Sequence, residues 1–286
     1  MDVSIIIINY NTLSLTKKCI DSIFQHTKNI QFEIILVDNA STDGSKKLFM
    51  ADARIIYIYN EENVGFGRAN NIGLKYASGR YILLLNSDTY LINNAINIFK
   101  ENMDVQPSNI ACIGALLEDP FGAEVRSFGP FLSFKQFFKG VKLEIPRPIP
   151  VSGVCVPVVL GADLFIRRSV IEKEGFFDPA FFMYHEENDL QRRYAQAGYY
   201  SKIIPGPRIV HLEGKSNASH INILAIQGGY IYMKKWNNRF IYIIYRILYA
   251  ITRMPKLFMI RAPYNQKIKF LKALFCYRVP SIHHQL

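Results

Sequence analysis

Acidic side chains follow predicted strands at two places in this sequence. Asp38 comes directly after the predicted strand 32–37, and Asp88 follows the unbroken apolar run Tyr81–Leu85. Ligands of open α/β sheets bind beyond the carboxyl ends of the strands, so we expect Asp38, Asp43 and Asp88 at one edge. Three carboxylates there would repel one another unless a cation or a hydrogen-bonding ligand separated them. The pattern therefore predicts a ligand site at this edge.

Asp88 has a second interpretation as a helix cap. Asp88 or Thr89 could cap a predicted helix over residues 92–100. Turn chemistry also explains Asp43 before Gly44, but it explains Asp38 poorly. The residues alone leave the cap and the metal ligand both open for Asp88.

Three acids within four positions open a predicted helix over residues 187–197: Glu186, Glu187 and Asp189. Attraction between acids and the helix dipole could account for them, at under ~1 kcal/mol each. Aromatic and methionine side chains crowd residues 176–184 just before them. Such apolar surroundings would raise the pKa of at least one acid and suit it to act as a general base.

His211 ends a short predicted strand. A histidine in such a place is more often structural than a metal ligand, so its candidacy depends on Asp88. A carboxylate and an imidazole together suit Mn²⁺ or Mg²⁺, and Mn²⁺ tolerates nitrogen better.

A glycine pair in NVGFGRAN, residues 63–70, superficially resembles a dinucleotide-binding fingerprint. That fingerprint follows the first strand and ends in a third small residue, whereas this one follows the third strand and ends in Asn70. We therefore disfavour nicotinamide binding and expect the glycines to let backbone and Arg68 approach a phosphate.

The elements that must position these residues alternate along the chain. We predict strands at residues 3–8, 32–37, 54–59 and 81–85, with helices at 13–26 and 66–77. This alternation implies parallel pairing through right-handed crossovers, a Rossmann-like α/β sheet flanked by helices. Residues 121–157, rich in Phe, Gly and Pro, are expected to run over the site. Later strands are predicted at 110–117, 158–167, 203–204 and 208–211, and a helix at 169–174.

Charge divides the chain into a near-neutral body and a cationic tail. The net charge is +11, yet the first 213 residues carry 22 basic and 23 acidic side chains, and the rest carry twelve basic and no acidic ones. Within the tail, FIYIIYRILYAI at 240–251 is too short and interrupted to span a bilayer. It could lie in the interface of an anionic membrane, or pack as a core helix with a solvated basic face. We expect no nucleic-acid partner, because nothing else resembles a binding module.

Cysteine spacing and the first residues bear on the compartment. The four cysteines are far apart, so we expect no zinc site and no disulfide. Met1-Asp2 leads straight into a strand, too short and too acidic for a signal peptide. A cytoplasmic location follows as an expectation.

Six motifs, taken in order, resemble those of one enzyme family. They are SIIIINYNT, VDNASTDGS, NVGFGRANNIG, LLLNSDT, GADLFIRRSVIEKEGFFDPAFFMYHEENDLQRR and VHLEGKS. Over about residues 3–216 the chain closely resembles family 2 glycosyltransferases, particularly the rhamnosyltransferase-like branch. Beyond residue 216 the composition predicts a basic, partly helical extension at 217–286, whereas the resemblance implies a GT-A domain at residues 1–216. The resemblance also implies a nucleotide-diphosphate-sugar donor, a divalent metal and inversion at the anomeric carbon.

The resemblance implies a role for each matching residue. Asp38 would accept a hydrogen bond from the ring N–H of the donor pyrimidine. The side chains expected to line the nucleotide sugar are Asn9, Asp38, Asn39, Arg68, Asn70, Asn86 and Asp88.

The implied metal ligands are Asp88 and His211. Asp88 matches the last acid of the family's metal motif, and His211 matches a histidine that completes the metal shell in some relatives. Asn86 replaces the first Asp of that motif, as is common in this branch.

The implied catalytic acid is Glu187, within Glu186-Glu187-Asn188-Asp189. The family has Asp at this position, so the longer side chain leaves Glu186 and Asp189 as alternative bases.

The expected activity is transfer of a dTDP- or UDP-linked sugar, with rhamnose implied by resemblance, to a glycan acceptor on a lipid carrier. Such an enzyme would serve bacterial surface-polysaccharide synthesis, for example of O-antigen, attached peripherally to the inner face of the cell membrane. The rival hypothesis is a non-catalytic nucleotide-sugar-binding or membrane scaffold protein. The intact acidic cluster argues against it.

Overall fold

Strands and helices alternate through the first part of the chain. The computed structural model describes residues 1–140, 143–212, 222–259 and 264–280. The elements up to residue 114 are β1 (Val3–Asn9), α1 (Leu13–His26), β2 (Phe32–Asp38), α2 (Ser45–Met50), β3 (Ile56–Tyr59), α3 (Phe66–Leu74), β4 (Tyr81–Leu85), β5 (Thr89–Leu91), α4 (Ala95–Val105) and β6 (Ile110–Gly114).

Shorter elements follow, and helices dominate the tail. They are β7 (Phe128–Gly129), α5 (Phe134–Lys139), β8 (Val154–Val156), β9 (Val158–Val159), β10 (Asp163–Arg167), α6 (Arg168–Glu174), α7 (Glu186–Gln196), β11 (Tyr200–Ile203), β12 (Ile209–His211), α8 (Ile223–Trp236), α9 (Arg239–Met259), α10 (Tyr264–Leu271) and a short π-helix (Lys272–Cys276).

Eight strands form the central sheet in the order β3-β2-β1-β4-β10-β6-β11-β8. The pairs β3–β2, β2–β1, β1–β4 and β6–β11 are parallel, whereas β10 and β8 run antiparallel to their neighbours. All five residues of β4 are buried, as its unbroken apolar run predicts. The predicted α/β class with a mostly parallel sheet is confirmed.

Apolar side chains fill both faces of this sheet. One cluster contains Ile23 of α1 and Phe99 of α4, and the other contains Ala69 of α3, Val170 of α6 and Leu190 of α7. The helices therefore cover the sheet on both sides.

The prediction of one strand over residues 158–167 is wrong in its extent. A turn at residues 160–162 separates β9 from β10, and β9 pairs with β7 in a small sheet of its own. β10 then enters the main sheet antiparallel, with Asp163 opposite Leu85.

The helix-cap interpretation of Asp88 is also wrong. α4 begins at Ala95 and has Asn94 as its N-cap residue. Strand β5 lies between Asp88 and Asn94. It pairs antiparallel with β12, so that Thr89 stands opposite His211. This pairing brings the residue before β5, Asp88, next to the last residue of β12.

The tail packs against the body through a third apolar cluster. Tyr230 and Met233 of α8, Tyr245 of α9 and Phe270 of α10 gather there with Phe181 from the segment before α7. The proposed boundary at 216/217 and most of the VHLEGKS motif lie outside the described residues. Of the helices described, none has the length and apolar character needed to cross a bilayer.

Candidate functional site

A cleft of about 490 Å³ lies where β4 ends and α7 begins. The 121–157 segment contributes to its wall, as expected, through residues such as Arg126 and Pro130. Ala225 shows that α8 of the tail also borders the cleft. The polar side chains lining it include Asn86, Arg126, His185, Glu186, Glu187 and His211.

Asp88 and His211 form a close pair at this edge. His211 Nε2 lies 3.3 Å from Asp88 Oδ1, and the two side chains are 15% and 18% exposed, respectively. The backbone fixes both, because the Leu212 N–H donates to the Asp88 carbonyl at 2.9 Å and the His211 N–H donates to the Glu118 carbonyl at 2.8 Å. The structure therefore brings together the two predicted metal ligands.

The pair of Asp88 and His211 supplies only part of the coordination shell that a divalent cation needs. A carboxylate oxygen and an imidazole nitrogen are both suitable donors, and Asn86 lines the same cleft. Within the described parts of the chain, no group of three His, Cys, Asp or Glu side chains converges. A bound cation would therefore complete its coordination with phosphate oxygens and water.

Glu186 and Glu187 open α7 after two residues with left-handed backbone. Tyr184 and His185 both have φ near +70°, a conformation uncommon for residues with a side chain. The turn places Glu186, which is 4% exposed, and the partly buried Glu187 in the cleft wall. Two neighbouring carboxyl groups thus share one partly apolar site.

Burial raises the pKa of both glutamates. The pKa of Glu186 lies well above its usual range because the side chain is buried and, secondly, because Glu187 adds a negative charge. Burial also raises the pKa of Glu187, but its backbone N–H contacts and the positive charge of Arg126 oppose the rise. Of the two carboxyl groups, Glu186 therefore holds a proton more readily, and Glu187 is the better placed to accept one.

Asp189 has a different environment from these two. It is fully buried, and its Oδ2 accepts hydrogen bonds from Lys235 Nζ at 3.0 Å and Arg193 Nε at 3.2 Å. Its Oδ1 accepts one from Trp236 Nε1 at 2.8 Å. Both oxygens thus tie α7 to α8, which speaks against Asp189 as the base.

Asn9 and Asp38 are opposite each other on β1 and β2, and both are fully buried. Asp38 accepts hydrogen bonds from the Ser41 N–H and the Tyr57 hydroxyl, each at 2.8 Å. Asn9 Nδ2 donates to Ser41 Oγ at 2.9 Å. These contacts hold the loops at the sheet edge, and contact between Asp38 and a donor base stays a prediction.

The other predicted nucleotide-lining residues also bond to the protein. Asn39 donates to the Gly65 carbonyl at 3.3 Å, and Asn70 donates to the Phe66 carbonyl at 3.0 Å. Arg68 is exposed, and its Nε donates to the Pro179 carbonyl at 2.7 Å. None of these three side chains lines the cleft described above, and their contacts with a nucleotide stay predictions.

Gly65 and Gly67 serve the packing of α3 against the segment before α7. A Cβ on Gly65 would lie 2.1 Å from the Phe182 carbonyl oxygen, and one on Gly67 would lie 3.2 Å from Phe177 Cβ. The Phe66 N–H donates to that same Phe182 carbonyl at 2.9 Å. The glycine pair thus supports the segment that leads to Glu186 and Glu187, and the approach of a phosphate stays a prediction.

Three residues near the site were not identified as site residues from the sequence: Asp163, His185 and Arg126. Burial raises the pKa of Asp163 to about 7, although the Ala115 N–H donates to its Oδ2 at 2.7 Å. Burial lowers the pKa of His185 to about 4. An acid inside the apolar GADLFIR run was a usable signal for Asp163. Nothing in the sequence singled out Arg126, which lies in an irregular segment.

The sheet and the groups at its edge define an α/β protein of the GT-A class, and solved structures share this fold. A mannosyltransferase from Pyrobaculum calidifontis, in complex with GDP-Man and Mn²⁺, superposes with a TM-score of 0.58 at 16% identity, over 95% of this chain and 73% of that one. GalNAc-T7 with UDP, GalNAc and Mn²⁺ gives a TM-score of 0.65 at 16% identity, over 96% of this chain and 54% of that one.

The sequence profile of Glycosyl transferase family 2 matches residues 4–148, and the chain belongs to this family. It is 41% identical over 98 residues to an Escherichia coli UDP-Glc:alpha-D-GlcNAc-diphosphoundecaprenol beta-1,3-glucosyltransferase, covering 33% of this chain and 38% of the relative. It is 24% identical over 219 residues to the N-acetylglucosaminyl-diphospho-decaprenol L-rhamnosyltransferase of Mycobacterium tuberculosis, covering 66% of this chain and 70% of that enzyme.

Other curated relatives align over shorter stretches. Glycosyltransferase GlyA of Streptococcus pneumoniae is 36% identical over 110 residues, which is 36% of this chain. The alignments span 15% of GlyA and 37% of glycosyltransferase GlyG from the same organism.

Proposed function

We propose that this chain is a metal-dependent, inverting glycosyltransferase that moves a sugar from a nucleotide diphosphate to a glycan acceptor on a lipid carrier. The observation that carries the proposal is the meeting of two unlike groups at one cleft. Glu186 and Glu187 form one wall, and His211, in contact with Asp88, forms another. A proton acceptor and a cation-binding pair are the two parts that such a transfer needs.

Glu187 is the proposed general base. A sugar hydroxyl is a poor nucleophile, so a carboxylate must take its proton as it attacks the anomeric carbon. Glu187 lines the cleft and has a raised pKa, whereas the oxygens of Asp189 are engaged by α8. The raised pKa of the buried Glu186 disfavours a second negative charge beside Glu187.

Asp88 and His211 would hold the divalent cation, Mn²⁺ or Mg²⁺. When bound there, the cation would act as a Lewis acid that stabilises negative charge on the leaving diphosphate. Backbone hydrogen bonds hold Asp88 and His211 in place. Metal ligands need such fixed positions, because they must stay close to each other when the cation binds.

The relatives support the choice of substrates. Two of them act on N-acetylglucosamine linked through a diphosphate to a polyprenol, one using UDP-Glc and the other transferring L-rhamnose. We therefore infer a UDP- or dTDP-linked donor, with rhamnose among the candidates, and a lipid-linked acceptor of bacterial surface-polysaccharide synthesis. Such an acceptor places the enzyme at the cytoplasmic face of the cell membrane as a peripheral protein.

Thermal unfolding with a panel of sugar nucleotides tests the proposal. A ligand that binds only the folded state raises the melting temperature by mass action. With Mn²⁺ present, we expect one nucleotide class to raise it for the wild type but not for Asp88→Asn. Asp21→Asn, at an exposed ion pair on α1, should respond like the wild type. If no sugar nucleotide shifts the wild type, the proposal fails and the scaffold alternative gains support.

A further inference from the structure

Helix α9 exposes a row of large apolar side chains along one face. We call this set the α9 row: Phe240, Ile243, Ile247 and Ile251, with exposures of 72%, 44%, 54% and 59%. Their spacing of three, four and four residues keeps them on one side of the helix. The inner side of α9 carries Tyr245, which is 2% exposed and belongs to the tail cluster.

The fold holds this row in a fixed orientation. Tyr245 packs edge-on against Tyr230 of α8, with ring centroids 6.1 Å apart. The guanidinium of Arg246 lies 4.8 Å from the Tyr230 ring centroid and donates to the Leu274 and Phe275 carbonyls at 3.3 and 3.1 Å. α9 is therefore anchored on its inner side, and the row faces outward.

Single exposed apolar residues are ordinary, but a continuous row on an anchored helix indicates an interaction surface. The charge of the chain segment that carries the row indicates the occupant. From residue 222 to residue 280 the chain has eleven basic side chains and no acidic one. Among the exposed basic residues are Lys234, Arg239, Lys269, Lys272 and Arg278. An apolar row within a purely cationic segment complements an anionic bilayer, whose headgroups attract the bases and whose acyl boundary accepts the row.

We propose that the α9 row inserts into the interface of an anionic lipid bilayer. The need for such a surface rests on the proposed function, because a lipid-linked acceptor never leaves the membrane. α8, which precedes α9, contributes Ala225 to the cleft and binds Asp189 through Lys235 and Trp236. Because α8 precedes α9 in the chain and borders the cleft, membrane contact through α9 would hold the cleft close to the bilayer surface.

The test is co-sedimentation of the full-length protein with vesicles. Vesicles of phosphatidylglycerol and phosphatidylcholine are compared with phosphatidylcholine alone, at low and high salt. The row variant carries Phe240→Gln, Ile243→Gln, Ile247→Gln and Ile251→Gln, because glutamine keeps helix propensity. The control variant carries Val105→Gln, Phe121→Gln and Val151→Gln, at apolar residues that are 81%, 94% and 86% exposed outside the tail.

We expect wild type and control to bind anionic vesicles and to dissociate as salt rises, and the row variant to bind at least about tenfold more weakly. The proposal is overturned if the wild type stays in the supernatant at low salt. Undiminished binding by the row variant would overturn it as well, as would equal losses in row and control variants. A wild-type dimer that becomes monomeric in the row variant would assign the row to a second copy of the chain instead.

The nucleotide-induced thermal shift separates this inference from the proposed function. If the row variant keeps the shift and loses vesicle binding, both stand. If the wild type binds vesicles through the row but responds to no sugar nucleotide, the membrane surface stands and the glycosyltransferase proposal fails.

Discussion

Two adjacent glutamates at the start of α7 face one cleft with unequal burial. Glu186 is nearly inaccessible, and Glu187 is partly exposed and influenced by Arg126. The proposal that Glu187 transfers the proton rests on this inequality, and the two residues form a matched pair for testing it.

Glu187→Gln should lower kcat by about 10²–10⁴, the usual contribution of a general base. The nucleotide-induced thermal shift should persist, because the amide keeps the shape of the side chain. Glu186→Gln should retain most activity, since the amide resembles the protonated acid that burial favours. Initial-rate assays with both variants decide the matter, and a larger loss in Glu186→Gln would transfer the role of base to Glu186.

The raised pKa of Glu186 also predicts a pH-dependent stability. A buried acid with a folded-state pKa above its ordinary 4.5 binds its proton more tightly in the folded state. Its contribution to stability is therefore complete below about pH 4.5 and declines as pH rises toward the folded-state pKa. Glu186→Gln cannot titrate, so its stability relative to the wild type should increase with pH. The urea midpoints of the wild type and Glu186→Gln, compared from about pH 4.5 upward, measure this difference in stability. A difference in stability that does not change with pH would contradict the prediction.

Some of these residues could be found from the sequence and others could not. Both Asp88 and Glu187 belong to strong local patterns. Asp88 follows the end of a buried strand by three residues, and Glu187 lies in the first turn of a helix. Asp163 needed knowledge that β10 runs antiparallel beside β4, because only that pairing brings its carboxylate to the same edge. Arg126 belongs to an irregular segment, where no periodic pattern indicates position.

At the scale of elements, α8 supports the turn that presents the glutamates. Gly228 packs directly against the backbone at Tyr184, one residue before the left-handed His185. The next residue, Gly229, has more room. The tail helix is thus part of the construction of the site, although the sequence pattern treated it as an extension.

Gly228→Ala should damage both activity and stability. Its Cβ would lie 2.4 Å from the Tyr184 carbonyl oxygen and 3.1 Å from that of Met183, so the turn before Glu186 must shift. Gly229→Ala is the control, because its nearest neighbour is the Tyr245 hydroxyl at 3.4 Å and alanine favours helix over glycine by about 1 kcal/mol. Transfer rates and melting temperatures should fall for the first variant only. Equal behaviour of the two would show that α8 does not hold the turn.

The sequence predicted long, periodic elements well and short, paired ones poorly. α1 and β4 follow from a helical spacing and an unbroken apolar run. β5 has three residues and exists because β12, more than a hundred residues later, pairs with it. Local patterns carry no information about such a partner, so the sequence alone offers Asp88 or Thr89 as the cap of a helix over residues 92–100.

At the scale of the molecule, Asp189 joins the body to the tail. Its fully buried carboxylate accepts from Lys235 and Trp236 of α8 and from Arg193 of its own helix. Removing one partner of a buried ion pair leaves uncompensated charge, so Asp189→Ala should cost about 3–5 kcal/mol of unfolding free energy. Asp21→Ala, at an exposed ion pair, should cost about 1 kcal/mol or less. Denaturant unfolding compares them, and similar losses would mean that the Asp189 contacts contribute little to joining the tail.

We propose that the cleft transfers a sugar with inversion, using Glu187 as base. The most direct measurement is NMR of the product formed from N-acetylglucosamine-diphosphoundecaprenol, Mn²⁺ and the sugar nucleotide that gives the thermal shift. We predict a new glycosidic bond whose anomeric configuration is opposite to that of the donor, formed by the wild type and not by Glu187→Gln. Retention of configuration, or undiminished transfer by Glu187→Gln, would contradict this mechanism.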